Sequence, residues 1–379
     1  MIHLDENLMG PLCKATGALA LASALALAGC GGGGGGAQSN APALSLMLFA
    51  ANDGATGIEL WRTDGTGTGT GLVKDINTSG NSFPGASGTP FPTELAFFNG
   101  AWFFSADDGV SGTELWKSDD TAGGTVRVKD INMNPTSASS SPRGFTVFNG
   151  ALYFAADDGV AGRELWKTDG TPSGTVRVTD INMVGDSSPS GLTVFNNALY
   201  FSADDGTTGF ELWRTDVAGS TVRVKDINLN GDSFPSGFRV FNNALYFSAD
   251  DGFAGAELWK TDAAGSTVRV SAVSLVSGLT VFNNALYFSA SGAAAGVELW
   301  KTDGTDSGTV LVKDINPSPG ASSTPSAFAV LNNALLFSAD DGVTGRELWK
   351  TDSSGSTVQV KDICPGNCNG VPVLVPLTP

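Results

Sequence analysis

The stretch "GLTVFNNALYFSADDGTTGFELWRTDVAGSTVRVKDIN", residues 191 to 228, contains the unit from which most of this chain is built. It holds four short segments rich in aromatic and β-branched residues, "GLTVF", "ALYFSAD", "FELWRTD" and "TVRVKDI", which we call a, b, c and d. Each is bounded by Gly, Asn or Asp, a pattern that predicts a β-strand. Asn196 and Asn197 tolerate the positive φ of a tight hairpin between a and b. The unit is therefore predicted to be one antiparallel meander.

The unit recurs with a fixed internal period, which indicates a repeat architecture rather than several domains. In "ELW" the Leu and the Trp are adjacent and point to opposite faces of the strand, so both faces of each sheet must be covered. Sheets of this kind stacked around an axis form a β-propeller. We predict an all-β fold, a seven-bladed β-propeller of four-stranded antiparallel blades. The repeat core is one Trp per unit, namely Trp61, Trp116, Trp166, Trp213, Trp259, Trp300 and Trp349.

The two ends of the array favour a closed ring over a linear stack, which would need polar caps. The first repeat has segments b, c and d but no credible segment a. An additional apolar segment, "VPVLVPL", follows the last repeat at residues 371–377. We predict that this C-terminal strand completes blade one. Its two prolines are tolerated because an innermost strand has a free edge.

The repeat also resembles a known family. The segment "ELWKTDGTPSGTVRVTDI", residues 164–181, is similar to the repeat of the bacterial ELWxxDGT repeat proteins, and the resemblance covers nearly all of residues 44–363. It implies an exported, propeller-like repeat protein and no defined activity. The motif decays in places, and repeat five has "SAV" at residues 271–273 where other repeats have "KDI".

The N-terminal residues differ from the repeats. An apolar run ends in "LAGC", residues 27–30, which resembles the lipobox of bacterial lipoproteins. We predict a lipoprotein signal peptide at 1–29, with Met1 or Met9 as its start, lipidation of Cys30, and a Gly-rich flexible tether over 30–43. A single propeller domain spans 44–379. The alternative is a secreted protein cut at a nearby small residue.

The residue after Cys30 is Gly31, which resembles the default outer-membrane sorting signal. We therefore expect an outer-membrane lipoprotein on the periplasmic side or at the cell surface. Cys364 and Cys368 in "CPGNC" favour a disulfide over free thiols in an oxidising compartment. Two sulfurs with no His nearby cannot complete a zinc site.

Charge and composition exclude several function classes. The net charge is −17, and no run of Lys or Arg occurs, so nucleic acid is not an expected partner. Membrane contact is expected only through the lipid anchor, and the domain is expected to be monomeric. The one histidine is His3, in the signal segment. The predicted domain thus lacks the commonest general base, and Ser-His-Asp or Cys-His arrangements are excluded.

Paired carboxylates recur in the b–c turn, "DDG". They are expected on one face of the propeller, because the b–c and d–a links leave a meander on the same side. Such a ring can hold calcium through oxygen ligands, which makes calcium the one candidate cofactor. The alternative is that these side chains accept hydrogen bonds from their own turns. The candidates are Asp53, Asp107, Asp108, Asp157, Asp158, Asp204, Asp205, Asp250, Asp251, Asp340 and Asp341.

The Glu of each "ELW" has apolar neighbours, and near-equal copies argue against a catalytic pair, which needs distinct environments. We expect a structural role, hydrogen-bonded or paired with an Arg of strand d. The Glu residues are Glu59, Glu114, Glu164, Glu211, Glu257, Glu298 and Glu347, and the Arg candidates are Arg127, Arg177, Arg223 and Arg269.

These features lead to one functional prediction and one alternative. We expect a lipid-anchored, non-enzymatic binding or scaffold protein of the bacterial envelope, with a protein or glycan partner at the propeller face. The alternative is a carboxylate-dependent glycosidase or lyase with its site at the propeller channel. Fold alone does not choose between them.

Overall fold

The computed structural model describes residues 46–83, 94–134, 138–292, 295–366 and 368–370. Within these ranges the regular structure is entirely β, in 27 strands. No helix in the described ranges has the length and apolar character that crossing a membrane requires. The predicted signal peptide, Cys30, the tether and the C-terminal strand at 371–377 lie outside the described residues.

The strands form seven separate antiparallel sheets, each built from consecutive strands. Sheet 1 has three described strands and sheets 2 to 4 have four each. Their bounds are β1 (Met47–Asn52), β2 (Ile58–Thr63) and β3 (Gly71–Lys74) in sheet 1; β4 (Ala96–Phe98), β5 (Ala101–Asp107), β6 (Thr113–Ser118) and β7 (Val126–Lys129) in sheet 2; β8 (Arg143–Phe148), β9 (Ala151–Asp157), β10 (Arg163–Thr168) and β11 (Val176–Arg177) in sheet 3; and β12 (Ser190–Phe195), β13 (Ala198–Asp204), β14 (Phe210–Asp216) and β15 (Thr221–Lys225) in sheet 4.

Sheets 5 to 7 repeat the four-stranded pattern. Their bounds are β16 (Ser236–Phe241), β17 (Ala244–Asp250), β18 (Ala256–Asp262) and β19 (Thr267–Ser271) in sheet 5; β20 (Ser274–Phe282), β21 (Ala285–Ser291), β22 (Val297–Thr302) and β23 (Val310–Lys313) in sheet 6; and β24 (Ser326–Leu331), β25 (Ala334–Asp340), β26 (Arg346–Asp352) and β27 (Thr357–Lys361) in sheet 7.

Each four-stranded sheet is the predicted meander a-b-c-d, with a at one edge and d at the other. The a–b hairpin of sheet 4 turns through Asn196 and Asn197, whose φ angles are 46° and 59°. This left-handed backbone is what the tight turn requires and what Asn tolerates. The strand and turn predictions from the repeat are confirmed.

Neighbouring sheets pack face to face in a propeller-like arrangement. The a strands contact one another in succession, from β4 through β8, β12, β16 and β20 to β24. The apolar clusters are shared between adjacent sheets: Leu165 of sheet 3 lies with Leu199 and Phe201 of sheet 4, and all three are fully buried. The all-β fold with seven antiparallel sheets is therefore confirmed, while the strand predicted to complete sheet 1 lies outside the described residues.

Candidate functional site

The Glu of each "ELW" anchors the link that leaves its own sheet. In sheet 3, Glu164 accepts hydrogen bonds from the backbone N–H of Ile181 at 2.8 Å and of Ser187 at 3.0 Å. The Ser187 hydroxyl lies 2.7 Å from the same carboxylate. Glu164 and Ser187 are both fully buried. The d–a link is therefore fixed by one buried carboxylate.

The anchored link continues to the next sheet. The carbonyl of Ser187 accepts a hydrogen bond from the backbone N–H of Asp204, at the end of strand b of sheet 4. Glu164 thus sets the geometry between sheet 3 and sheet 4. Four other Glu residues bond a Ser of their own d–a link in the same way; the pairs are Glu59 with Ser82, Glu114 with Ser140, Glu211 with Ser233, and Glu298 with Ser323.

The sequence prediction missed these serine partners. The signal was present, since a Ser recurs in the links "GNSF", "SSSP", "GDSSP", "GDSF" and "SSTP". It was obscured because the Glu and the Ser are separated by 22 to 26 positions along the chain.

Sheet 5 is the exception, because it has "SAV" where other repeats have "KDI" and its link to sheet 6 is the shortest. Here Glu257 is paired with Arg269, whose Nη1 lies 2.9 Å and 3.1 Å from the two carboxylate oxygens. The prediction that strand-d arginines pair with the "ELW" Glu is correct in this sheet alone among the described contacts. In sheets 2 to 4 it is wrong.

In those sheets the arginine pairs with the second Asp of the "DDG" turn, a contact that Arg269 of sheet 5 makes to Asp251 at 3.5 Å in addition to its pairing with Glu257. Arg177 lies 3.1 Å from Asp158, and the same contact joins Arg127 to Asp108 and Arg223 to Asp205. The physical reason is that backbone and hydroxyl donors of the link already satisfy the Glu.

Burial raises the pKa of these anchoring carboxyls, because desolvation disfavours the charged form. The effect outweighs the hydrogen bonds that favour ionisation at Glu59, Glu114 and Glu164. At Glu211, burial raises the pKa to about 7. The Ser233 hydroxyl lies 2.7 Å from Glu211 and 2.9 Å from the Phe210 carbonyl, so it can accept a hydrogen bond from the neutral Glu211 carboxyl while donating one to Phe210.

The paired Asp residues cap their own turns. Asp107 accepts the backbone N–H of Gly109 at 2.7 Å, and Asp108 accepts those of Val110 and Ser111 at 3.0 Å and 2.7 Å. At Asp205, partial burial opposes ionisation, but hydrogen bonds from Thr207 and Thr208 outweigh it and hold the pKa at about 2. Equivalent turn bonds are made by Asp53, Asp157, Asp158, Asp204, Asp250, Asp251, Asp340 and Asp341.

Each Asp pair therefore lies within its own turn, and the structure does not bring the pairs of different turns together into one site. No group of three or more His, Cys, Asp or Glu side chains within the described ranges is placed to hold a metal ion. Calcium binding stays a prediction from sequence.

The repeat Trp residues pack between sheets. Trp166, 6% exposed, lies with Leu115 and Val128 of the preceding sheet, and Lys129 of that sheet is 5.9 Å from its ring centroid. All seven indole Nε1 atoms are buried without a hydrogen-bond partner among the residues that the structure describes. A buried donor of this kind is ordinarily satisfied by ordered water.

A disulfide bond joins Cys364 and Cys368 in the segment that follows sheet 7. Glu347 anchors this segment as its counterparts anchor the d–a links, accepting the backbone N–H of Ile363 at 2.9 Å and of Gly370 at 3.0 Å. The segment up to Gly370 therefore lies as a d–a link does.

One face of the molecule, which we call the loop face, carries the b–c and d–a links. Consecutive links touch: the Asn134 side chain donates to Gly159 at 2.7 Å, and Asp186 accepts the backbone N–H of Arg163 at 2.7 Å. Eight apolar side chains on these links are 71% to 89% exposed. We call them the apolar rim: Val110, Met133, Val160, Met183, Val184, Leu229, Phe253 and Val343.

Comparisons with known proteins place the chain in no family. No family model matches the sequence. No curated protein matches it.

Solved structures do resemble it at low identity. A puromycin hydrolase is 14% identical with a TM-score of 0.47, over 86% of this chain and 52% of that one. A structure from a study of two prolyl endopeptidases is 11% identical with a TM-score of 0.47, over 83% and 48%. TolB from Acinetobacter baumannii is 12% identical with a TM-score of 0.37, over 72% and 66%. The chain spans about half the length of the hydrolase and the endopeptidase.

These comparisons contradict the function predicted from sequence. We expected a lipid-anchored binding or scaffold protein, with a glycosidase or lyase as the alternative. The similar structures are instead named as a puromycin hydrolase and prolyl endopeptidases. The prediction went wrong because the repeat fixes an architecture, and unrelated functions share architectures.

Proposed function

We propose that this chain is a non-catalytic propeller module that covers the catalytic domain of a peptide hydrolase and limits which substrates reach it. The apolar rim carries the proposal. Eight strongly exposed apolar side chains lie on the links of one face, and apolar surface exposed on one face marks contacts with another protein. The peptide-hydrolase class comes from the names of the similar structures, and the experiment below tests it directly.

The chemistry of the chain supports a non-catalytic role. Its one histidine is His3, and the buried Glu residues are occupied as anchors of the links. A Ser-His or Cys-His pair would therefore have to be completed by a partner.

The test is co-purification of peptide-cleaving activity with the tagged chain from the cells that produce it. We expect the wild-type chain to retain activity on a fluorogenic peptide. A triple variant, Met133→Ser with Val160→Ser and Phe253→Ser, is expected to lose most of it, because three exposed rim side chains become polar.

The matched control also replaces three apolar residues by Ser, but on outer strands, at Val126, Val222 and Val268, which are 37% to 45% exposed. It should retain the activity. Absence of activity with the wild-type chain, or equal retention by the rim variant, would contradict the proposal.

We further propose that the ring is closed by residues 371–377 pairing as strand a of sheet 1. In support, sheet 1 has three described strands, and the chain up to Gly370 follows the path of a d–a link. Deletion of residues 371–379 should lower the melting temperature by several degrees. Deletion of residues 31–36 in the tether should leave it unchanged, and equal melting temperatures for both deletions would refute closure.

Family and location are also proposals, resting on sequence. We propose that the chain is an ELWxxDGT repeat protein of the outer membrane, lipidated at Cys30. Incorporation of labelled palmitate should be lost in Cys30→Ser, and incorporation that persists in this variant would exclude the anchor.

A further inference from the structure

A cavity of about 280 Å³ lies among the innermost strands of sheets 5, 6 and 7. Its walls come from β16, β20 and β24, which are neighbours in the ring of a strands. The lining residues are Gly237, Arg239, Gly278, Leu279, Thr280, Ala327 and Phe328. Arg239 is the one charged side chain among them.

Arg239 departs from the repeat. The equivalent position, two residues before the end of strand a, is Thr in three other sheets and Ala in two. These positions are Thr146, Thr193, Thr280, Ala96 and Ala329. The repeat therefore does not require a cation at this position, and among the sheets compared it is sheet 5 that has an arginine there.

The arginine can reproduce the structural bond of the Thr that it replaces. In sheet 3 the Thr146 hydroxyl donates to the Leu192 carbonyl of the next sheet at 3.2 Å. In sheet 5 the Arg239 Nε donates to the equivalent carbonyl, Leu279, at 3.1 Å. The two Nη groups make no hydrogen bond or ion pair with any residue that the structure describes. Arg239 therefore keeps the hydrogen bond between sheets 5 and 6, and its two coplanar Nη groups remain able to donate to a ligand.

Arg239 is exposed at the mouth of this open cavity, and an apolar wall lies beside its donors. Leu279 is 2% exposed. Gly278 has φ 70°, and a Cβ there would lie 2.6 Å from the Phe328 ring, so glycine keeps Phe328 in the wall. A ligand of this cavity thus meets one cation and an apolar surface.

We propose that this cavity binds the carboxylate of a small organic anion through Arg239, with an apolar group of the ligand against Leu279 and Phe328. The guanidinium fork matches a carboxylate in two parallel hydrogen bonds. A single cation in a chain of net charge −17 suits a monoanion better than a multiply charged phosphate. The volume of about 280 Å³ lies just below the usual range for ligand sites, so only a small acid or the last residue or two of a peptide would fit. The proposal uses no residue of the apolar rim.

The test is calorimetric titration of the full chain with four probes at millimolar concentrations. They are 3-phenylpropanoate, its neutral amide, N-acetyl-alanyl-phenylalanine, and the C-terminal amide of that peptide. We expect at least one carboxylate to bind and neither amide to bind. Arg239→Thr, the residue of the other sheets, should weaken binding at least about tenfold without loss of fold, because charged hydrogen bonds are removed.

Arg143→Ser is the matched control. It removes the same charge from an innermost strand, again restores the residue of other sheets, and does not line the cavity. It should bind as the wild type does.

Binding of 3-phenylpropanoate alone would assign the site to small acids, and binding of the peptide acid would assign it to peptide carboxyl termini. The proposal is overturned if neither acid binds, if an amide binds as well as its acid, or if Arg239→Thr and Arg143→Ser have equal effects.

Discussion

Sheets 3 and 5 provide different partners for the buried Glu of "ELW". Both bury an "ELW" Glu completely. In sheet 3, the Glu164 carboxylate accepts hydrogen bonds from backbone N–H groups and from a serine of a long link. In sheet 5, where the link is short, Glu257 takes Arg269 as its partner. A buried carboxylate that loses its hydrogen-bond donors requires a cation, and the comparison shows which element of the repeat normally supplies those donors.

The largest expected effect comes from removing the anchor in each sheet. Glu164→Ala leaves the N–H groups of Ile181 and Ser187 without an acceptor and opens a cavity, which should cost about 3 kcal/mol or more of unfolding free energy. Glu257→Ala opens a similar cavity but leaves no buried donor unpaired, because Arg269 is 43% exposed and also lies 3.5 Å from Asp251, so the cost should be smaller, about 2 kcal/mol. Urea unfolding measures both, and equal costs would show that the anchor is not specific to the long link.

The next effect is on pH dependence. Since burial raises the pKa of Glu211 from 4.5 to about 7, its contribution to stability is fully present below pH 4.5 and is lost as pH rises through 7. The melting temperature should therefore fall between about pH 5 and about pH 8, and Glu211→Gln, which imitates the neutral form, should reduce that fall. Asp306→Asn, at an exposed carboxylate, is the control and should leave the fall unchanged. A fall of the same size in Glu211→Gln would contradict the assignment.

The smallest effect tests the serine. Ser187→Ala removes one hydroxyl bond to Glu164 and should cost about 1 kcal/mol. Ser190→Ala, at an exposed position at the start of β12, should change stability by less than about 0.5 kcal/mol. Chemical denaturation distinguishes the two, and a neutral Ser187→Ala would remove the serine from the anchor.

The strands and turns were predictable because they depend on neighbours in sequence. Asn196 and Asn197 signal the hairpin by themselves, and the alternation around each Trp requires two covered faces. The partners of Glu164 were not predictable in the same way, because the fold alone brings Ser187 to it. The arginines were assigned to the wrong carboxylate in sheets 2 to 4, since sequence shows opposite charges and not which carboxylate is already satisfied.

Arg239 shows a different limit of what could be predicted from the sequence. Aligning the repeats shows that it is unusual, but only the packed a strands show that its Nε replaces the Thr bond and that its Nη groups lie at a cavity. Deviations from a repeat become informative once the shared role of the position is known.

The most direct test of the anchor account compares two arginines at the same repeat position. Arg269→Ala strands Glu257 in the core and should cost about 3 kcal/mol, whereas Arg177→Ala disturbs only partly exposed Asp158 and Asp180 and should cost less than about 1 kcal/mol. The measurement is the unfolding free energy of both variants in urea at neutral pH. A large loss for Arg269→Ala alone is the predicted result. Equal losses would contradict the claim that the link, where present, satisfies the buried Glu.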